Sequence, residues 1–181
     1  VSSIAFRPAG VPATQKLPTL FYIHGGPVAQ DEYGFDLTRQ MLSGAGYMVV
    51  GVNYRGSSGR GWEFSKTISA DWGNKEVKDI HGAVDYVVAK GWADKDKLGI
   101  VGWSYGGMLT DYLIASDNRF KAASSGAGVA MVSYLYGVDQ YINQYDNELG
   151  VPWKNIDRYL KLSYPFLQAD KIKTPTQFMV G

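Results

Sequence analysis

Residues 97–109 read KLGIVGWSYGGML, and the spacing around the serine decides the fold. Gly102, Ser104 and Gly106 stand where an apolar strand should hand over to an apolar helix, although glycine weakens both. Leu98 to Val101 is a short apolar run with β-branched members, suited to a buried strand, and Met108 to Ala115 is helix-compatible and free of proline. In a chain with 22 glycines the bare Gly-x-Ser-x-Gly pattern says little by itself. Its strand-turn-helix setting says more, because it is the setting of a nucleophile elbow, where the serine occupies a strained turn and the flanking glycines let neighbouring backbone approach. Ser104 is therefore a candidate nucleophile rather than part of a glycine-rich turn.

On either side of the elbow, strands alternate with helices. Leu20 to Ile23 and Tyr47 to Val52 read as strands, with Phe35, Thr38, Met41, Leu42 and Ala45 at helical spacing between them and Gly46 as a stop. From Asn74 to Lys90, Val77, Ile80, Val84, Val87 and Val88 form an apolar helical face that leads into the strand before Ser104. Lys121 to Ser125 and Thr176 to Val180 supply two further strands. This alternation predicts an α/β fold, a mostly parallel sheet with helices on both faces and active groups at the carboxyl ends of the strands.

Composition narrows the function classes. At 181 residues and 45% hydrophobic, the chain can bury a core and is most simply one domain, residues 1–181. A formal charge of +1 with no long basic block argues against nucleic acid as a partner. No run approaches the ~20 apolar residues of a membrane span. The expectation is a soluble chain, cytoplasmic or periplasmic to secreted, with the compartment open. Zero cysteines exclude disulfides, thiolate metal sites and a cysteine nucleophile, and no cofactor is expected.

Two glycine-rich loops follow strands. Gly56 to Gly61 matches neither a dinucleotide nor a phosphate cradle and reads as a tight surface turn. His24-Gly25-Gly26-Pro27 places a glycine pair at a strand end, where backbone N–H groups can face a reacting carbonyl. Gly26 N–H and Tyr105 N–H are the expected pair of oxyanion donors.

HGGP at 24–27, NYRGSSGRG at 53–61, DWG at 71–73, GWSYGG at 102–107, RFKA at 119–122 and KTPT at 173–176 together resemble the catalytic domain of the prolyl oligopeptidase family. The likeness is closest to its acylaminoacyl-peptidase and dipeptidyl-peptidase-like branches and runs from about Leu20 onward. It implies an α/β-hydrolase fold, Ser104 as nucleophile and Tyr105 N–H as an oxyanion donor. Family members usually join this domain to a β-propeller, for which this chain has no repeats. Some branches use a tyrosine hydroxyl where this sequence has His24.

The resemblance also implies what to look for in a base. In such hydrolases the chain order is Ser, then Asp or Glu, then His, yet both histidines here, His24 and His81, precede Ser104. His81 shares a helical face with Val77, Val84 and Val88 and reads as a packed or boundary residue; His24 belongs to the oxyanion loop. The expectation is a C-terminally truncated domain that lacks the acid, the base and the last strand and helix, and is nearly inert alone. Its expected partners are a peptide or ester substrate and either the missing part of the domain or an oligomer partner. Within 129–170, aromatic residues are dense, and Val129, Tyr134 and Tyr136 are the expected walls of a substrate pocket. A serine peptidase acting on short peptides is the preferred function; a carboxylesterase-type hydrolase and a non-catalytic assembly module are the alternatives.

Overall fold

The computed structural model describes residues 1–180. Its strands are β1 (Ser2–Phe6), β2 (Leu17–Ile23), β3 (Met48–Asn53), β4 (Ala93–Trp103), β5 (Ala122–Gly126) and β6 (Thr176–Met179). They form one six-stranded sheet in the order β1-β3-β2-β4-β5-β6, parallel except for β1, which pairs antiparallel with β3. The register brings Ile23 beside Gly102, and Trp103 beside Gly126. Three strands thus end at one level, and the segments after Ile23, Trp103 and Gly126 meet there.

The helices are α1 (Leu37–Gly44), α2 (Trp62–Ser65), α3 (Lys75–Ala89), α4 (Tyr105–Ser116), α5 (Val132–Leu135), α6 (Ile142–Glu148), α7 (Pro152–Leu162) and α8 (Tyr164–Leu167). In β2, Leu17, Thr19, Phe21 and Ile23 are buried in strict alternation, as a half-covered strand requires. Phe21 and Ile23 pack into one core with Ile80 and Val84 of α3 and Leu109 and Leu113 of α4. Burial of each such side chain contributes roughly 1.5–3 kcal/mol. The opposite face of the sheet carries α1, whose Arg39 lies over the rings of Phe6 and Tyr22. Beside α1, an apolar groove of about 700 Å³ remains, lined by Leu20, Leu42, Val101 and Met179 among others. No helix among the described residues is long and apolar enough to cross a membrane.

Three details differ from the sequence expectations. Strand β1 was not anticipated; its Ser2-Ser3 start hides its pairing with β3. Helix α1 forms, but Phe35 and Met41 are exposed while Arg39 and Ser43 are buried. Arg39 turns inward because it forms a close ion pair with buried Asp31. The loop from Gly56 is not a surface turn in its first half: Ser57 is fully buried and its backbone carbonyl accepts from Ser65 Oγ at 3.0 Å.

Candidate active site

Ser104 occupies the single residue between β4 and α4, with φ 57° and ψ −125°. A serine in that region stores about 1–3 kcal/mol of backbone strain, which persists only where the surroundings fix it. Here Ser104 N–H donates to Gly126 O at 2.9 Å, and Ser104 O accepts from Met108 N–H at 3.0 Å. Space is the second constraint. A Cβ on Gly102 would lie 2.2 Å from Gly106 O, and one on Gly106 would lie 2.1 Å from Ile23 O. Only glycine at both positions lets the turn close against β2. The serine side chain is thereby left exposed at the N-terminus of α4, where unpaired N–H groups favour negative charge.

The His24–Pro27 loop closes over this turn from β2. A Cβ built on Gly25 would lie 3.3 Å from Ser104 Cβ, so the two backbones abut. Gly26 follows with φ 125°, a conformation open to glycine, and lines the same cavity as Ser104 and Tyr105. Neither Gly26 N–H nor Tyr105 N–H donates to a backbone acceptor among the described residues. Two elements that line the cavity of Ser104 thus each carry an N–H group without a backbone acceptor.

Neither histidine faces that oxygen. His24 Nδ1 lies 2.7 Å from Gly25 O and therefore carries the proton; Nε2, left as the acceptor, lies 2.9 Å from Ser57 Oγ. Its ring stacks on Tyr54 at 4.4 Å, and burial lowers its pKa, which keeps it neutral. The lone pair that a base needs is thus engaged by Ser57. His81 lies on α3, with Nε2 3.4 Å from Ser116 Oγ and Nδ1 3.8 Å from Asp117 Oδ2 at the far end of α4.

Behind the elbow lies a buried carboxylate that the sequence did not single out. Tyr105 OH donates to Glu76 Oε1 at 2.6 Å, and Gly73 N–H approaches the same oxygen at 3.4 Å, while Oε2 has no partner. Burial pushes the Glu76 carboxyl up to about 7, against the opposing pull of the Tyr105 hydrogen bond. Asp111 on α4 is likewise pushed by burial to about 6.

A cavity of about 190 Å³ opens in front of Ser104. Of the three expected wall residues, Val129 lines it. Tyr134 is mostly exposed, and Tyr136 turns toward Trp153 and Tyr159 and donates to Asp146 Oδ1 at 2.9 Å; neither borders the cavity. Trp72, Leu135, Asp139, Tyr141 and Tyr145 do. Trp72 sits in the DWG stretch at 71–73, and Tyr141 and Tyr145 stand four residues apart, one turn of α6. That spacing was the available signal. Glu148 Oε1 accepts from both Trp72 Nε1 at 2.6 Å and Ala70 N–H at 3.0 Å, which ties the 69–73 loop to α6.

The mostly parallel sheet with its strained serine at the carboxyl end of β4 is the architecture of an α/β-hydrolase fold. Residues 33–181 match the model of the prolyl oligopeptidase family. An acylamino-acid-releasing enzyme of Arabidopsis thaliana is 30% identical over 174 residues, covering 91% of this chain and 23% of that enzyme. Dipeptidyl aminopeptidase BIII of Pseudoxanthomonas mexicana is 31% identical over 170 residues, covering 90% of this chain and 25% of the relative. The solved acylaminoacyl peptidase of Pyrococcus horikoshii superposes with a TM-score of 0.89 at 28% identity, over 98% of this chain and 29% of that one. The chain belongs to the prolyl oligopeptidase family, and it spans about a quarter of the length of these relatives.

Proposed function

We propose that the protein is a serine peptidase that cleaves short peptides through an acyl-enzyme on Ser104. The observation that carries this is the exposed, strained Ser104 flanked by the free N–H groups of Gly26 and Tyr105. Ser104 Oγ adds to the scissile carbonyl carbon and gives its proton to a base, while the carbonyl oxygen takes up negative charge between the two N–H donors. Collapse breaks the C–N bond, the leaving amine takes the proton, and water then releases the acid from the serine. The engagement of His24 by Ser57 and the distance of His81 support a base and its carboxylate drawn from outside these 181 residues, and hence near-inactivity of this segment alone.

In the natural full-length protein, a fluorophosphonate probe labels Ser104, and Ser104→Ala abolishes labelling and lowers peptide hydrolysis by ~10⁶-fold. Mass spectrometry of the labelled peptide checks the position. Labelling that survives the substitution removes Ser104 from the role, and a folded protein that never labels favours a non-catalytic module.

A further inference from the structure

The residue after the serine faces two ways. Tyr105 lines the cavity of Ser104, and its backbone N–H has no backbone acceptor among the described residues, while its side chain runs into the core. There its hydroxyl donates to Oε1 of Glu76, a fully buried residue in the first turn of α3. The same oxygen lies 3.4 Å from the N–H of Gly73, the neighbour of Trp72, which is itself a wall of the cavity. Trp72 meets the Tyr105 ring edge to face, with centroids 6.2 Å apart. One carboxyl oxygen thus joins the serine turn to the 71–73 loop. The other, Oε2, is buried without a partner. A buried carboxyl left half-satisfied costs stability, which points to a role in the site rather than in the core. Helix α3 is itself fastened to the end of β3: the Arg55 guanidinium donates to both carboxylate oxygens of Asp79 at 2.8 Å and to Lys75 O at 3.2 Å.

We infer that Glu76 is a positioning residue, which through the Tyr105 hydroxyl fixes the first residue of α4 and hence the aim of its backbone N–H at the acyl oxygen of a substrate on Ser104. This inference rests on the proposed hydrolysis at Ser104. Ring and N–H belong to one residue, so holding the far end of the ring opposes rotation of the first turn of α4. Without that hold the ring relaxes and the N–H leaves its line. A donor that acts on the developing oxyanion then stabilises the transition state less, which lowers kcat and leaves KM nearly unchanged.

The test uses the full-length protein and the fluorogenic peptide amide that it turns over fastest. Tyr105→Phe removes the hydroxyl and keeps the ring and the N–H; Glu76→Met removes the acceptor at nearly constant length. Each is expected to lower kcat by about ten- to a hundredfold, the scale of a misplaced donor, with KM within about threefold of wild type. Glu76→Gln keeps the acceptor oxygen and should recover most of the loss. The double variant Glu76→Met/Tyr105→Phe should fall no further than the worse single variant, because both break one bond. Where Glu76→Met fails to fold, Tyr105→Phe carries the test. A peptide aldehyde, whose hemiacetal oxygen stands where the oxyanion forms, should bind Tyr105→Phe more weakly in step with kcat/KM, whereas the uncleaved substrate should bind Ser104→Ala equally with and without Tyr105→Phe. An unchanged kcat in Tyr105→Phe overturns the inference, as does a rise in KM alone, a loss that Glu76→Gln shares in full, or losses that multiply in the double variant. Failure of the fluorophosphonate to label Ser104 is a separate result and strikes the hydrolase proposal instead.

Discussion

At Gly25 the sequence leaves no latitude for a side chain. A Cβ there would sit 3.0 Å from Trp103 O and 3.3 Å from Ser104 Cβ, closer than the two loops can share without parting. Gly25→Ala should therefore displace the oxyanion loop from the serine and lower kcat by about ten- to a hundredfold, since small misplacements of catalytic groups carry costs of that order. Gly34→Ala, where a Cβ meets nothing within 4 Å, is the control and should match wild type. Steady-state kinetics on the full-length protein decides; equal kcat in both variants would separate Gly25 from the catalytic geometry. That Ser104, Tyr105 and Gly26 meet at one cavity was legible in the sequence because the strand-turn-helix pattern and the strand-end loop are local motifs. Glu76 was not, because its meaning comes from a hydrogen bond to Tyr105, 29 residues away. Asp139 was hidden for the same reason: nothing in its neighbours says that its loop folds back over Ser104.

Among the elements, α3 was readable from apolar periodicity, α4 from a proline-free, helix-compatible stretch after the serine turn, and β4 from the short apolar run Leu98 to Val101. Helix α1 was readable as a helix but not in its orientation, since an arginine that buries itself against an aspartate and two rings reverses the apparent face. The contact between α3 and α4 carries a pH dependence. Glu76, facing Tyr105 and close to Tyr54, Tyr112 and Asp71, keeps its proton in the folded chain up to about 7, against an ordinary value of 4.5. Folding therefore takes up a proton between those values, and stability falls as pH rises through that window, by on the order of 3 kcal/mol at most. Asp111, raised to about 6, adds a smaller slope of the same sign. Glu76→Gln keeps an acceptor for Tyr105 but cannot ionise. Denaturant midpoints measured from pH 5 to pH 8 should fall less steeply in the variant than in wild type; parallel curves would assign the slope elsewhere.

On the scale of the molecule, the two sheet faces are unequally covered. The face under α3 and α4 is closed, whereas the face bearing α1 keeps an apolar groove of about 700 Å³ next to edge strand β6. Phe178 on that strand is 64% exposed and Val180 beyond it 86%. An open edge beside uncovered apolar surface invites pairing with another chain. Expressed by itself, the 181-residue segment should show a light-scattering mass above its own 19.9 kDa, and Phe178→Lys should lower the associated fraction. A stable monomer would show that the groove tolerates water.

The cavity is assembled from two parts of the chain that are held in place by different contacts. The turn that presents Ser104 belongs to the sheet, while Asp139, Tyr141 and Tyr145 arrive on the excursion between β5 and β6. That excursion is pinned to the core by Val132, Tyr145 and Leu149, with Leu135 and Tyr136 packed against it, and positions 137–144 contribute no buried residue. Chemistry and selectivity thus rest on separate supports: substitutions among positions 137–144 can change what is held over the serine while the strained turn, fixed by the sheet, stays as it is.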